Sequence, residues 1–247
     1  MQAFPLSEGE FTIGFDKIFR PFNPETDELL DRPRGSLLVE VQPFLVVHGK
    51  DVMVLDTGLG FHGSSGQLQI YEALARHGYQ PSDVTRVLLS HLHKDHAGGL
   101  LYEDDYGVMH PSFPKAIHSI RRSEWDYAFD VGYPSYHPDE FGSLEQKVTI
   151  DWLEGSEGTI TPGISWEHSG GHCPQHIVFT LSEGGESLFF GGDEAPQLKQ
   201  MKMKYVAKYD WNGQRAMQLR EEYGERGRKH NWQFLFYHDI KSPIAKL

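Results

Sequence analysis

The chain has 247 residues, with 38% hydrophobic and 13% aromatic side chains, which excludes a disordered chain and suffices for a sizeable core. Its 35 acidic residues outnumber 23 basic ones for a net charge of −12, which repels phosphate backbones and excludes a general nucleic-acid binder. A single cysteine, Cys173, rules out an intramolecular disulfide and so gives no sign of an oxidising compartment. The segment Met1–Glu8 lacks the basic and apolar regions of a signal peptide, and no apolar run is long enough for a bilayer. A cytoplasmic protein without a membrane partner, forming a single domain over residues 1–247, is expected.

Short apolar runs bounded by turns predict an early antiparallel set at Leu37–Val41, Phe44–Val47 and Val52–Leu55, the last ending in Asp56-Thr57-Gly58. Gln67–His77 reads as a helix with Leu68, Tyr71, Leu74 and Ala75 on one face and Gly78 as its C-terminal cap. Val87–Leu89 is a short buried strand running into His91-Leu92-His93-Lys94-Asp95-His96. Another strand is expected at Ala116–Ile117, followed by a helix capped by Ser123 and ending at Phe129. The aromatic stretch Asp126–Phe141 reads as a loop without regular structure, tucked on the core or covering a pocket. Strands follow at Ile164–Trp166, Ile177–Leu181 and Ser187–Phe190, then a helix around Gln214–Tyr223 and a last strand Gln233–Tyr237 ending at His238. No repeat marks a duplication. The segment Phe11–Pro24 mixes apolar and polar residues and could dock on a second copy, making a homodimer an expectation.

The hexapeptide carries the chemistry. Extended backbone after Ser90 puts His91 and His93 on one side, where they can face one ion. Asp95 and His96 fall where the chain turns into a helix and can face a neighbouring ion. A lone histidine is usually bland, but three imidazoles and a carboxylate within six positions reverse that prior. Such donors suit zinc best, with iron, manganese or cobalt as other metals. His172, after Ser169-Gly170-Gly171, Asp193, after Gly191-Gly192, and His238 each stand beside a turn at a strand end, where site residues collect. Gly98-Gly99 would let the backbone pass close to whatever is bound.

With these motifs in this order, the chain resembles the metallo-β-lactamase superfamily over roughly residues 35 to 240. The resemblance implies an α/β fold, an αββα sandwich of two mixed β-sheets flanked by helices, with the metals at a sheet edge. It implies one metal on His91, His93 and His172, a second on Asp95, His96 and His238, and Asp193 bridging both. Asp56 would hold the ligand loops, His176 would support the site, and Asp95 would also shuttle a proton. Two zinc ions about 3.5–4 Å apart can share a water and lower its pKa toward ~7, so metal-assisted hydrolysis is expected.

Within the superfamily, flavin-coupled diiron members have Glu where His93 stands, and the cysteine-ligand β-lactamases have Cys where Asp193 stands. Cys173 instead adjoins His172 and is expected to pack. The chain is most similar to the single-domain lactonases, including those acting on N-acyl-homoserine lactones, and to arylester- and organophosphate-hydrolysing relatives. The expected partner is a small-molecule ester or lactone, and quorum quenching is the role such lactonases serve. Many of them carry a substrate-contacting Tyr three residues after the bridging Asp. Pro196 stands there in this chain, with Tyr205 and Tyr237 as candidate replacements. Two rivals remain: a mononuclear iron enzyme like the persulfide dioxygenases, which has no need of Asp95, His96 and His238 together, and a metal-binding protein without activity. Lys94 is expected to be solvated, with a substrate contact as the alternative, His62 to be at the surface, with a pocket-lining role as the alternative, and the other histidines (His48, His77, His110, His118, His137, His168 and His230) to be bland.

Overall fold

The computed structural model describes residues 1–247. Two six-stranded mixed sheets face each other. The first runs Gln2–Pro5, Phe44–His48, Asp51–Leu55, Arg86–Leu88, Ile117–Arg121 and Thr149–Leu153, antiparallel at first and parallel from Asp51–Leu55 onward. The second runs Glu157–Thr161, Ile164–His168, Ile177–Glu183, Glu186–Phe190, Gln233–Leu235 and Ile244–Ala245, antiparallel except where Glu186–Phe190 meets Gln233–Leu235.

Alternation along the strands assigns the layers. Phe44, Val46, Met53, Leu55 and Leu88 of the first sheet meet Phe179, Leu181, Leu188, Phe190 and Leu235 of the second in one apolar cluster. The intervening Leu45, Val54 and Val87 face outward, against Ile70, Ala73 and Leu74 of the helix Gln69–Arg76 and Trp125 of the helix Arg122–Val131. Val178, Phe189 and Phe234 leave the second sheet on its far side, against Leu219 and Tyr223 of the helix Gly213–His230. The result is helix, sheet, sheet, helix, as the resemblance implied.

Several local expectations change. Phe44–His48 and Asp51–Leu55 form the expected hairpin, but Leu37–Val41 leaves it to join Gly9–Ile13 and Phe19–Phe22 in a three-stranded sheet. Pro43 disfavours the helical backbone that a tight turn needs at Gln42, so the chain runs on instead of folding back. The helix after Gly66 buries Ile70, Ala73 and Leu74, with Ala75 outside, while Gly78 at φ +82 ends it as expected. Ser123 caps nothing: the helix begins at Arg122, and the Ser123 hydroxyl donates to Gln175 Oε1 at 2.8 Å.

The stretch Asp126–Phe141 is not structureless. Its first six residues continue the helix through Val131, where Trp125 and Phe129 pair one turn apart at 5.4 Å, and Pro138–Phe141 forms a further turn. Tyr136 and Phe141 are buried, so the segment is fastened to the core while Pro134 and Ser135 reach a cavity. The later helix extends seven residues past Tyr223, to His230, because Gly227 fits flush on the Phe234 ring. In Phe11–Pro24, Phe11 and Phe22 are buried and Ile13 and Phe19 line the same cavity, so much of its apolar surface is used within the chain.

Phe179 sits fully buried between the sheets. Phe179→Ala removes a whole ring from that layer and is expected to cost about 3–5 kcal/mol. Denaturant unfolding of the two proteins measures it.

Candidate metal centre

The strand Arg86–Leu88 delivers the hexapeptide to the edge of the first sheet, and each ligand-type residue named above arrives at one spot. His91 Nε2 and His172 Nε2 lie 3.0 and 3.1 Å from His93 Nδ1. Asp95, His96 and His238 form a second group, with Asp95 Oδ2 at 3.6 Å from His96 Nε2 and 3.4 Å from His238 Nε2. Asp193 stands between them. Its Oδ2 is 3.2 Å from His172 Nε2, and its Oδ1 is 3.3 and 3.0 Å from the Nε2 atoms of His96 and His238.

The outward ring nitrogens are already committed. Ser90 Oγ donates to Asp56 Oδ2 at 2.6 Å, which leaves it to accept from His91 Nδ1 at 3.0 Å. His96 Nδ1 donates to Asp56 Oδ2 at 2.7 Å, His172 Nδ1 to Asp210 Oδ1 at 2.9 Å, and His238 Nδ1 to the Glu40 carbonyl at 2.6 Å. When neutral, each of these rings therefore turns a bare Nε2 lone pair inward. Nitrogens about 2.0–2.1 Å from a tetrahedral zinc lie about 3.3 Å apart, close to the spacing in the first group. His96 Nε2 and Asp193 Oδ1 are buried without a hydrogen-bond partner, a costly state that a cation between them relieves. The residues fit a metal pair on chemistry as well as position. Asp56, His91 and His96 also lie close together, but Asp56 is spent on Ser90 and His96 and acts as a support.

The electrostatics carry the same sign. Burial disfavours charge on His238, yet Asp193 and Asp95 outweigh it and raise its pKa to about 10. His96 is driven well up by Asp95, Asp193 and Asp56, again against burial. His91 and His93 go well down, by burial and then by neighbouring imidazoles. Two buried carboxylates thus call for positive charge where the rings converge.

The supports come from scattered places. Asp56, at φ +57, also accepts the Ser90 N–H at 2.7 Å. Glycines 98 and 99 do admit a close approach, but to the Thr57–Leu59 loop and not to a ligand: a Cβ on Gly99 would stand 2.1 Å from the Thr57 carbonyl. His176 accepts the Asp193 N–H on Nε2 at 3.2 Å, the supporting position expected of it. Tyr237 is fully buried, stacks on His96 at 4.0 Å and donates to the Asp95 carbonyl at 2.5 Å, so it does not replace the Tyr absent at position 196. Tyr205 does line the cavity.

Four supporting residues escape a sequence reading. Asp210 orients His172, and the Trp211 and Asn212 N–H groups bind the His172 and Gly171 carbonyls at 2.9 and 2.8 Å. Glu194 accepts the N–H groups of Gly171 and His172 at 3.0 and 3.3 Å. Glu124, pushed up to about 7 by burial, accepts the Leu92 N–H at 2.9 Å, with the buried Cys173 Sγ 3.7 Å away. Glu8 accepts the Leu59 N–H at 2.7 Å. The only signal for Asp210 is its place just before the Asn212 helix cap, and a turn aspartate looks the same. Lys94 is not merely solvated: it pairs with Glu140 and lines the cavity. His62 lies in a separate groove beside Phe61. Among the bland histidines, His118 is buried, with Nδ1 on the Ala116 carbonyl at 3.1 Å.

A family model described as the metallo-beta-lactamase superfamily matches residues 38–229. The chain belongs to that superfamily. Among curated proteins it is 29% identical over 163 residues to an N-acyl homoserine lactonase of a Bacillus species, covering 60% of this chain and 58% of that one. It is 27% identical over 178 residues to an N-acyl homoserine lactonase of Azorhizobium caulinodans, covering 61% and 63%. The matches thus span less than two thirds of these relatives' length. Among solved structures, a probable metal-dependent hydrolase from Staphylococcus aureus superposes with a TM-score of 0.79 at 23% identity, covering 99% and 91% of the two chains. A dizinc quorum-quenching lactonase with bound product gives 0.70 at 18% identity, covering 99% and 89%. Both share the metallo-β-lactamase fold of this superfamily member, and the chain brings together His/Asp clusters that could hold metal. No helix is long and apolar enough to cross a membrane.

Two predictions follow from the supports. Asp210→Ala removes the acceptor that fixes His172 and is expected to weaken metal retention about 10- to 100-fold, read by chelator competition. Burial raises Glu8 to about 8 from 4.5, with the Leu59 N–H opposing. The folded chain therefore holds a proton that the unfolded chain loses above the ordinary glutamate range. The associated stability is present at low pH and is lost as pH rises toward 8. Glu8→Gln is expected to gain on the parent across that window in denaturant midpoints; an unchanged difference contradicts the buried, protonated Glu8.

Proposed function

We propose that the protein is a dinuclear zinc hydrolase that opens a lactone or cleaves a related ester, with N-acyl-homoserine lactones as the first candidate substrates. The observation that carries this reading is Asp193, whose two oxygens reach the two groups of ligands separately, 3.2 Å from His172 and 3.0 Å from His238. A mononuclear oxygenase could use one oxygen of such a carboxylate in a two-histidine, one-carboxylate set, but has no use for the second triad that the other oxygen reaches. The lactonase relatives support the substrate class. His91, His93 and His172 would hold one ion, Asp95, His96 and His238 the other, and Asp193 both. Zinc bound there supplies a water of lowered pKa and polarises the acyl oxygen.

The chain's own residues do the rest. Asp95 Oδ2, at the cavity floor beside His238, is placed to hold a proton and pass it to the leaving oxygen. Pro134 and Ser135 on one side and the N-terminal strands on the other narrow a cavity of about 340 Å³ above the site, within the range of small-ligand pockets. Ile13, Phe19, Leu37 and Val39 give that cavity an apolar wall suited to an acyl or aryl group. A phosphotriester or arylester is the second reading, favoured by Pro196 standing where a lactonase Tyr would contact the substrate carbonyl.

The test is turnover of zinc-loaded protein on a neutral acyl-homoserine lactone, an aryl ester and a phosphotriester. Lactone opening is the expected result; preference for the phosphotriester selects the second reading, and no turnover on any contradicts both. Asp95→Asn is expected to lower kcat by about 10²-fold or more with the circular dichroism spectrum kept. Full activity in that variant would remove Asp95 from the proton path.

A further inference from the structure

The cavity above the metal centre has a charge pattern opposite to that of the chain. The protein as a whole carries 35 acidic and 23 basic residues. Yet apart from Asp95 and Asp193, which face the metal site, every aspartate, glutamate, lysine or arginine lining the cavity is a lysine: Lys17, Lys94 and Lys199. Lys94 is occupied by Glu140. Lys17 sits in the turn between the strands Gly9–Ile13 and Phe19–Phe22, and its neighbour Asp16 is taken by Arg20 at 2.7 Å. Lys199 lies on the helical turn Leu198–Met201, in a segment, residues 197–208, that holds four lysines and no acid. Neither Lys17 nor Lys199 has an acidic partner within ion-pair distance, on a surface where acids predominate.

We propose that the substrate carries an anionic group, such as a carboxylate, in addition to its ester or lactone and an apolar portion, and that Lys17 and Lys199 seat that group. This deepens the hydrolase reading and rests on it. The physical reason is local: an acidic body repels an anion at a distance, so an anionic substrate needs a positive mouth to enter and a cation to hold it. The apolar wall of Ile13, Phe19 and Leu37 lies in the same cavity, so one molecule can meet both features. A purely neutral acyl lactone would leave the two lysines without a role.

The experiment compares two acyl-homoserine lactones of equal chain length, one ending in a methyl group and one in a carboxylate, on zinc-loaded protein. The expected result is a kcat/KM about fivefold higher for the carboxylate form at low salt, the effect of one well-placed ion pair, shrinking as salt is raised. In the Lys17→Gln/Lys199→Gln double variant the ratio is expected to fall to about one. Equal rates for both compounds, or a preference that survives the double variant, would overturn the inference while leaving the hydrolase reading in place. If neither lactone is opened, the lactone branch of the hydrolase reading fails by itself. Calorimetric binding of the ring-opened dicarboxylate to parent and double variant then still decides the anion site: equal affinity overturns it, and weaker binding to the variant supports it.

Discussion

The structure depends on one electrostatic constraint: Asp95 and Asp193 are held almost out of water, with their oxygens turned toward the same imidazole nitrogens. Two like charges this close to each other and this far from solvent are unfavourable unless positive charge stands between them. Protonated rings can answer part of that charge, and His238 and His96 are both pushed toward it; four of the rings have their Nδ1 turned outward to a partner, so when neutral each offers an inward lone pair to a cation. A pair of cations would resolve the charge balance and the orphaned polar atoms together.

Holding those side chains requires contributions from the whole chain. Asp56 comes from the loop after the third strand of the first sheet, Glu40 from the strand beside the N-terminal hairpin, and Asp210 from the approach to the long C-terminal helix. Each fixes one ring by its outward nitrogen, and outer partners of this kind set both the tautomer and the direction of the ligand. The sandwich makes this possible: its two sheets bring the turn after Arg86–Leu88 and the turn after Glu186–Phe190 to the same edge. Arg220, buried in the C-terminal helix, donates to the Glu194 and Tyr205 carbonyls at 3.1 and 2.6 Å and so ties that helix to the ligand loops.

What could be read from the sequence divides along the same line. The convergence of the ligand-type residues was legible because their density and spacing are unusual, as in His91 to His96, and because each later one sits beside a turn. The two-sheet core was legible as short apolar runs bounded by turns. The eight short strands outside those runs were not, since segments such as Leu101–Glu103 and Ile244–Ala245 owe their pairing to neighbours more than to pattern. Leu37–Val41 was visible as a strand, but its partner was decided by Pro43 and by the strand Gly9–Ile13. The supports were the least legible: Glu8, Glu124, Glu194 and Asp210 are ordinary acids in sequence and become special only when burial brings them against a backbone N–H or a ring nitrogen.

The central claim is two metal ions joined by Asp193. The most direct test is anomalous diffraction from crystals of the zinc-loaded protein. The account predicts two peaks about 3.5–4 Å apart, one within reach of His91, His93 and His172, the other of Asp95, His96 and His238, with Asp193 touching both. A single peak on the first three histidines, or two peaks that Asp193 does not join, would contradict it.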